Sequence, residues 1–254
     1  LLALQNNAYK EVPMYPLDVI GAESIGMIGY MIQQELVNFV PKSAKLATVL
    51  TQTRVDPHDP AFQNPTKPVG PVYEKEEAER LAKEHGWTIA PDNDKYRRVV
   101  PSPEPKQIWG LEPLRTLAEK GYITICCGGG GIPVTKAQGN HLKGAAAVID
   151  KDFAAEKLAE QLDADALIIL TAVEKVAIGF GTDHEQWLDT LTAADVKRLS
   201  EANEFGRGSM LPKVQAASTF AESKPGRTAL ITLLEKARDG LAGKTGTTFT
   251  GDAE

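Results

Sequence analysis

Three lysines stand in separate, locally rigid frames along this chain of 254 residues. Lys67 lies in the run PTKP, Lys151 in DKD and Lys213 in LPKV, and we predict each of them to lie in a loop. Positioned cations stabilise the negative charge that spreads over a transferring phosphoryl group. The three lysines therefore predict chemistry on a phosphate, whereas a solvated surface lysine is the alternative at each position.

A run of four glycines at residues 128–131 is a second group suited to an anion. It follows residues 122–127, a short apolar run rich in β-branched residues that predicts a buried strand. Glycine accepts positive φ, and a glycine loop at the carboxyl end of a strand presents backbone N–H groups to an anion. A flexible turn is the competing interpretation. The run is not a phosphate-binding Walker loop, because neither GKS nor GKT follows it. It is also not a dinucleotide-binding fingerprint, because no acidic residue stands at the end of a following strand.

The elements that must position these groups alternate along the chain. Residues 166–171, ALIILT, predict a second strand, and residues 153–162 predict a helix between the two strands. A strand, a helix and a strand in this order imply parallel pairing with a right-handed crossover, and hence an α/β protein. Thr192 is a predicted N-cap. A loop at residues 204–214, which carries Lys213, is predicted before a helix at residues 215–224.

A proline-rich stretch interrupts this alternation. Residues 54–73 include two Asp-Pro steps, which argue against a helix or a central strand, and a short helix is predicted at residues 74–86. Residues 54–100 are therefore predicted to form an insertion that serves as a lid or an interface element. The chain is otherwise predicted to be one domain, residues 1–254.

Composition excludes several classes of protein. A hydrophobic content of 42% supports a substantial core, and a net charge of -6 argues against a nucleic-acid surface. Neither a signal peptide nor an apolar run of membrane-spanning length is found, so we expect a cytoplasmic protein that does not bind membranes. Cys126 and Cys127 are predicted to point to opposite faces of a strand, which prevents an ordinary disulfide. The cysteines and four histidines lack zinc-site spacing, and no metal ligands are predicted.

Six runs, taken together and in order, resemble the carbamate kinase family of the amino acid kinase fold. They are PLDVIGAESIGMIGYM, VDPHDPAFQNPTKPVGPVY, RRVVPSPEP, CGGGGIPV, AVIDKD and GSMLPKV. The resemblance implies a three-layer α/β/α sandwich around a mainly parallel sheet, with residues 54–100 as a protruding subdomain. It further implies a homodimer in arginine metabolism and reversible phosphoryl transfer between ATP and carbamate with Mg²⁺, commonly in the direction of ATP formation from carbamoyl phosphate.

The resemblance also implies roles for individual residues, whereas Asp150 is interpreted only as a structural acid at a helix start. Lys67, Lys151 and Asp152 are implied as catalytic: Lys67 reaches toward carbamoyl phosphate, Lys151 neutralises the transferring group and Asp152 orients the lysines. The nucleotide side is assigned to Lys213, Thr171 and Met210, and the substrate pocket to Gly129, Gly130 and Gly131.

The chain departs from the family pattern in two respects. The family's first strand with its GGNA loop, and its HGNGPQ loop, are not in the printed sequence, and we expect them in the native protein. In addition, Glu174 stands where the family commonly has Asp, Leu211 where it has Gly and Ala146 where it has Glu. These departures motivate a second hypothesis, a catalytically weak or inactive subunit of a carbamoyl-phosphate-handling complex. Kinases acting on acetylglutamate or aspartate are a third, weaker alternative, because the 54–100 insertion points away from them.

Overall fold

Helices and strands alternate along the chain in a computed structural model, which describes residues 1–8, 14–206 and 209–251. The first residue of the GSMLPKV run, Gly208, lies outside the described residues. The chain divides into two compact units, residues 1–154 and 155–254. In chain order the elements are α1 (Leu2–Ala8), α2 (Leu17–Phe39), β1 (Lys45–Thr48), β2 (Gln52–Val55), β3 (Lys67–Tyr73), α3 (Lys75–His85), β4 (Thr88–Asp92), β5 (Lys95–Val100), β6 (Pro105–Trp109), α4 (Leu111–Glu119), β7 (Tyr122–Ile125), β8 (Ile132–Lys136), β9 (Leu142–Gly144), α5 (Lys151–Gln161), β10 (Ala166–Thr171), β11 (Val176–Ile178), β12 (Gln186–Leu188), β13 (Thr190–Thr192), α6 (Ala193–Glu201), α7 (Met210–Glu222), β14 (Thr228–Leu233), α8 (Ala237–Leu241) and β15 (Thr247–Thr250).

The parallel pairs expected of an α/β protein occur in both units. In the first unit β1 pairs with β7 and β2 pairs with β8, and in the second β10 pairs with β14 and β13 with β15, all in parallel. Antiparallel pairs join β6 and β9 to the ends of the four-stranded sheet β6-β2-β8-β9, and β15 to β14 in the sheet β10-β14-β15-β13. The predicted α/β class is confirmed.

The run ATVLTQT at residues 47–53 predicts a single strand, but the structure contains two strands there with different partners. β1 pairs with β7, whereas β2 lies between β6 and β8. Thr51 marks the break, because its Oγ1 donates a hydrogen bond to the carbonyl of Val49 at 3.1 Å and its own carbonyl accepts the N–H of Ile132 at 2.8 Å. The continuous apolar and β-branched sequence gave no sign of this change of partner.

Helix α2 packs closely on β1 through a glycine. A Cβ added at Gly29 would lie 2.6 Å from Cγ2 of Thr48, so a larger residue would push the helix off the strand. Thr48 also donates from its Oγ1 to Oε1 of Gln33 at 2.6 Å. Gly29 therefore allows the close packing of this helix on β1. Among the described residues, no helix is both long enough and apolar enough to cross a membrane.

Residues 67–100 form an antiparallel sheet of order β3-β5-β4, together with α3. The prediction that residues 54–73 contain no central strand holds for β3, which is an edge strand, but is wrong for Arg54 and Val55, which end β2 between β6 and β8. The interpretation of these residues as a loop is also wrong for Lys67–Tyr73. Pro68 and Pro71 are tolerated because β3 is an edge strand, and the pairing with β5 is irregular between Val69 and Val72. The predicted helix at residues 74–86 is confirmed as α3, which ends at Gly86 with φ of 67°.

The second unit buries its core between α7 and the sheet strands. Val214, Phe220, Ile231 and Phe249 are fully buried. The N-cap predicted at Thr192 is confirmed, because its side chain accepts the N–H of Asp195 at 3.2 Å in a reciprocal capping box. The predicted loop at residues 204–214 is wrong in its second half, since α7 already begins at Met210.

Candidate active site

The glycine loop follows β7 as a tight turn at residues 128–130. Gly129, Gly130 and Gly131 have φ values of 60°, 100° and 81°, which glycine adopts at little cost. A Cβ at Gly130 would lie 2.3 Å from the carbonyl oxygen of Ile149, and one at Gly131 would lie 2.2 Å from Oγ1 of Thr53. The loop is thus restricted to glycine both by its backbone conformation and by its neighbours.

Two buried threonines brace this loop. Thr53 donates from Oγ1 to the carbonyl of Gly130 at 2.9 Å, and Oγ1 of Thr51 accepts the N–H of Cys127 at 3.1 Å. Since both side chains are almost fully buried, these hydrogen bonds are protected from water. The bracing contradicts the interpretation of the glycine run as a flexible turn. Neither threonine was predicted as a site residue, although the alternating TQT pattern at the end of an apolar run was a usable signal.

The two cysteines lie after the strand and not within it. β7 ends at Ile125, and Cys127 has a left-handed backbone with φ of 51°. The prediction that the two side chains point to opposite faces of a strand is therefore wrong. A hydrogen bond between the two thiols, followed by burial, raises the pKa of Cys127, whereas that hydrogen bond lowers the pKa of Cys126.

Asp150 joins a lysine of the inserted sheet to the start of α5. Its Oδ2 accepts from Nζ of Lys67 at 2.8 Å, and its Oδ1 accepts the N–H of Asp152 at 2.9 Å. Burial opposes the charged form, but the hydrogen bonds from Lys67 and from the Asp152 backbone outweigh it and hold the pKa of Asp150 below its ordinary value. The interpretation of Asp150 as only a structural helix-start acid is incomplete, because it also holds one of the predicted catalytic lysines.

Lys151 and Asp152 occupy the first turn of α5. Asp152 is buried, whereas 63% of the Lys151 side chain is exposed, and Nζ of Lys151 lies 3.6 Å from Oδ2 of Asp152. The N-terminal turn of a helix offers backbone N–H groups and a favourable dipole to an anion. The exposed ammonium of Lys151 is therefore available to a phosphate that approaches this end of the helix.

A cavity of about 500 Å³ in the first unit borders the glycine loop. Gly129 and Gly131 contribute to its wall, together with Ile149 and with apolar side chains from α1 and α2, such as Leu2, Ile20 and Ile25. These apolar side chains provide neither hydrogen-bond donors nor positive charge for an anion. The groups suited to an anion lie where the loop meets Ile149, which also lines this cavity and is one residue before Asp150.

The second unit contains a cavity of about 490 Å³ at the carboxyl end of β10. Thr171 and Met210, both predicted on the nucleotide side, line it together. Phe180 and Trp187 also contribute to its wall and meet edge to face, with ring centroids 6.0 Å apart. These two aromatic residues were not predicted, because neither lies in a recognisable motif. A cavity of this volume with aromatic walls suits a nucleoside.

Lys213 lies in helix α7 and not in the predicted loop. Its side chain is largely buried, and it follows Met210 by three residues, so both lie on one face of the helix. Lys67 begins β3 and Lys151 begins α5, so the prediction of three loop lysines is wrong for all three. Each instead lies at or near the start of a regular element, where the backbone fixes its direction.

The residues at positions 174 and 211, which differ from the family pattern, both fit their local surroundings. Leu211 lies within the first turn of α7, where glycine has no special advantage. Glu174 is exposed and its side chain accepts a hydrogen bond from Oγ1 of Thr245. Nothing in the structure explains Ala146, which is exposed.

Comparison with known proteins identifies the relatives of this chain. Residues 71–232 match the amino acid kinase family. A carbamate kinase of Haemophilus influenzae is 54% identical over 254 residues, which is 100% of this chain and 80% of the relative. A carbamate kinase of Pyrococcus furiosus is 51% identical over 93% of this chain and 76% of the relative.

A solved structure gives the same result for the fold. The carbamate kinase of Giardia lamblia bound to AMP-PNP is similar with a TM-score of 0.89 at 38% identity, over 98% of this chain and 80% of that one. The similarity therefore extends from sequence to three-dimensional structure.

Proposed function

The chain belongs to the carbamate kinases of the amino acid kinase family, and from this premise we propose how its residues serve the reaction. The protein is a phosphotransferase that moves a phosphoryl group reversibly between ATP and carbamate. The comparisons give no support to the alternative of an inactive subunit. One observation carries the residue assignments: the ammonium of Lys67 is held 2.8 Å from Asp150, at the start of α5 and next to the residue on which the glycine loop packs.

The carbamoyl phosphate side is assigned to the first unit. Lys67 and Lys151 neutralise the phosphoryl oxygens, while Gly129, Gly130 and Gly131 shape the substrate pocket. Asp152 orients the lysine ammonium groups. Because a metaphosphate-like group needs little covalent help, two fixed cations and a rigid glycine backbone are the contribution required of the protein.

The nucleotide side is assigned to the second unit. Thr171 and Met210 line the cavity of about 490 Å³, which we assign to the adenosine part of ATP or ADP. Lys213, on the same helical face as Met210, is assigned to the nucleotide phosphates. The start of α7 adds backbone N–H groups and the positive end of the helix dipole to this phosphate position.

Mg²⁺ is proposed to enter with the nucleotide. Within residues 1–8, 14–206 and 209–251, no three His, Cys, Asp or Glu side chains are grouped to hold a metal ion. Mg²⁺ commonly keeps several waters and binds through substrate phosphates with one or two carboxylates, so a protein cage is not required. The ion would neutralise charge on the phosphates.

Three wider properties follow from the family and are proposals for this chain. We propose that it is a homodimer, that it acts in the cytoplasm and that it serves arginine metabolism. We also propose that residues 54–100 act as a protruding lid within a single domain. The separate sheet β3-β5-β4 with its own helix α3 supports the lid.

A coupled assay of ATP formation from carbamoyl phosphate and Mg-ADP tests the proposal, with the full-length protein and each lysine variant. Lys151→Ala and Lys213→Ala are expected to lower kcat by about 10³-fold through loss of transition-state charge stabilisation. Lys42→Ala changes an exposed lysine just after α2 and serves as the matched control. Wild-type rates in the first two variants, with folding intact, would contradict the assigned roles.

A further inference from the structure

Asp150 occupies the N-cap position of α5, because its backbone carbonyl accepts the N–H of Ala154 at 3.0 Å and its Oδ1 accepts the N–H of Asp152. An N-cap needs only one carboxylate oxygen. The other oxygen, Oδ2, is bound to Lys67, which is 83 residues away in the sequence. A neutral Asn or Ser would cap this helix equally well, so capping alone does not account for a charge here.

The surroundings make this charge costly. Only 12% of the Asp150 side chain is exposed, compared with 35% of the Lys67 side chain. A largely buried carboxylate is stable only when it is paired and hydrogen-bonded. Both oxygens are satisfied, one by the helix start and one by the lysine, so the carboxylate is a fixed link between two elements of the first unit.

The link also lies next to the glycine loop. Gly130 packs so closely on the carbonyl of Ile149 that a Cβ there would come within 2.3 Å of it. Asp150 is the next residue, so the ammonium it holds is fixed relative to the glycine backbone. A lysine ammonium has three N–H donors, and one bond to Asp150 leaves two for other acceptors.

We propose that Asp150 is a positioning residue for phosphoryl transfer: it holds the Lys67 ammonium at the start of α5 so that the remaining donors meet the phosphoryl oxygens. The inference rests on the proposed function. Asp150 itself acts on the reacting group only through Lys67. Without Asp150, the flexible Lys67 side chain would lose conformational entropy each time it bound the phosphoryl group. The bond to Asp150 orders the side chain before substrate binds.

The test compares Asp150→Asn, Lys67→Met and the double variant in the coupled assay. Asn keeps an oxygen that caps α5 but loses the charge that holds Lys67. We expect Asp150→Asn to lower kcat by about tenfold to hundredfold, with a change in KM for carbamoyl phosphate below about threefold, because positioning acts on the transition state. The double variant is expected to match Lys67→Met within about twofold, since Asp150 acts through Lys67. If the loss of kcat in the double variant equalled the product of the losses in the two single variants, the proposal would be overturned.

A second measurement needs no activity and separates this inference from the proposed function. Hydrogen exchange of Val69, Gly70, Val72 and Tyr73 in β3, without substrate, is expected to rise in Asp150→Asn and in Lys67→Met alike. Unchanged exchange in both variants would overturn the link even if the enzyme is active. If the wild type lacks kinase activity but exchange rises as expected, the proposed function fails and the link stands.

Asp195→Asn is the matched control, because Asp195 is also an acid in the first turn of a helix, α6, and takes part in its cap. It is expected to leave kcat and β3 exchange unchanged. Far-UV circular dichroism of each variant reports on folding. An equal loss of kcat in Asp195→Asn would attribute the Asp150 effect to general helix-start damage and overturn the proposal.

Discussion

At the scale of single residues, the charge on Asp150 is maintained against its burial. Desolvation favours the protonated acid, but the Lys67 ammonium and the Asp152 backbone N–H both bind the carboxylate, and Lys151 adds a favourable charge. Lowering a pKa in the folded state is equivalent to stabilising the fold whenever the group is ionised. The same interactions that position Lys67 therefore contribute to stability.

The sign of this contribution gives a pH prediction. Because the folded-state pKa of Asp150 lies below its ordinary value of 3.8, its contribution is fully present above that value and is lost as pH falls further, through the folded-state pKa. Wild type is expected to exceed Asp150→Asn in free energy of unfolding by on the order of 1 kcal/mol at pH 7, since Lys67 is partly exposed. Urea titrations at several pH values between 7 and 2.5 measure this difference.

The difference between wild type and Asp150→Asn should shrink below about pH 4. Asp165→Asn removes one exposed carboxylate just before β10 and controls for the loss of a charge as such. If the difference in free energy of unfolding stayed constant down to pH 2.5, ionisation of Asp150 would not contribute to stability.

Some of these residue properties could be predicted from sequence and others could not. Positive φ in the glycine run and the cap at Thr192 depend on the local chain, and both predictions are confirmed. The role of Asp150 depends on Lys67, a partner far away along the chain, and no local pattern reveals such a pair. The roles assigned to Lys151 and Lys213 came from the family resemblance, and they stay predictions.

At the scale of elements, β3 is an edge strand that combines two prolines with a glycine. Pro68 and Pro71 cannot donate to the ladder, and Gly70 adopts φ of 73° at the irregular step. Arg97 provides a hydrogen bond at this irregular step, because its Nε donates to the carbonyl of Gly70 at 2.7 Å. Lys67 is the first residue of this strand, so movement of β3 would move the lysine.

We predict that a non-transferable phosphonate analogue of carbamoyl phosphate lowers hydrogen exchange in residues 54–75. The physical reason is that the bound anion engages the remaining donors of Lys67 and so further restrains the inserted sheet β3-β5-β4, which Asp150 already ties to the start of α5. Exchange measured by mass spectrometry with and without the analogue tests this. Residues 92–95, at the turn between β4 and β5, serve as the internal reference. Protection confined to residues 128–131 would argue for a site without a lid.

Element predictions succeeded where one local signal dominated. The strand at Ala166–Thr171 and the helix α3 are confirmed, because the first is a short apolar run and the second a charged, helix-forming segment that ends in glycine. The prolines predicted a loop at β3. An edge strand, however, pairs with a neighbour on one side only, so it tolerates residues that lack an N–H donor. The helix α7 was predicted to start five residues too late, because Pro212 was read as part of a loop although proline fits the first turn of a helix.

At the scale of the whole molecule, α2 carries an unusual exposed surface in the first unit. Met27, Tyr30 and Met31 are 51%, 65% and 58% exposed, and Phe39 at the end of the helix is 81% exposed. Apolar side chains grouped on one helix mark an interaction surface more often than isolated ones do. The protein is acidic overall, with a net charge of -6, so association through a charged surface between identical chains would be opposed by repulsion.

These observations favour α2 as the contact surface of the proposed homodimer. Sedimentation velocity is expected to give twice the mass of one chain, and Met31→Lys should weaken the dimer at least about tenfold, because it places an unpaired charge in an apolar contact. Val72→Lys changes an exposed apolar residue on β3 and is the matched control, with dimerisation expected to be unchanged. A wild-type protein that sediments as a monomer at micromolar concentration would contradict the homodimer, whereas a dimer insensitive to Met31→Lys would place the contact on another surface.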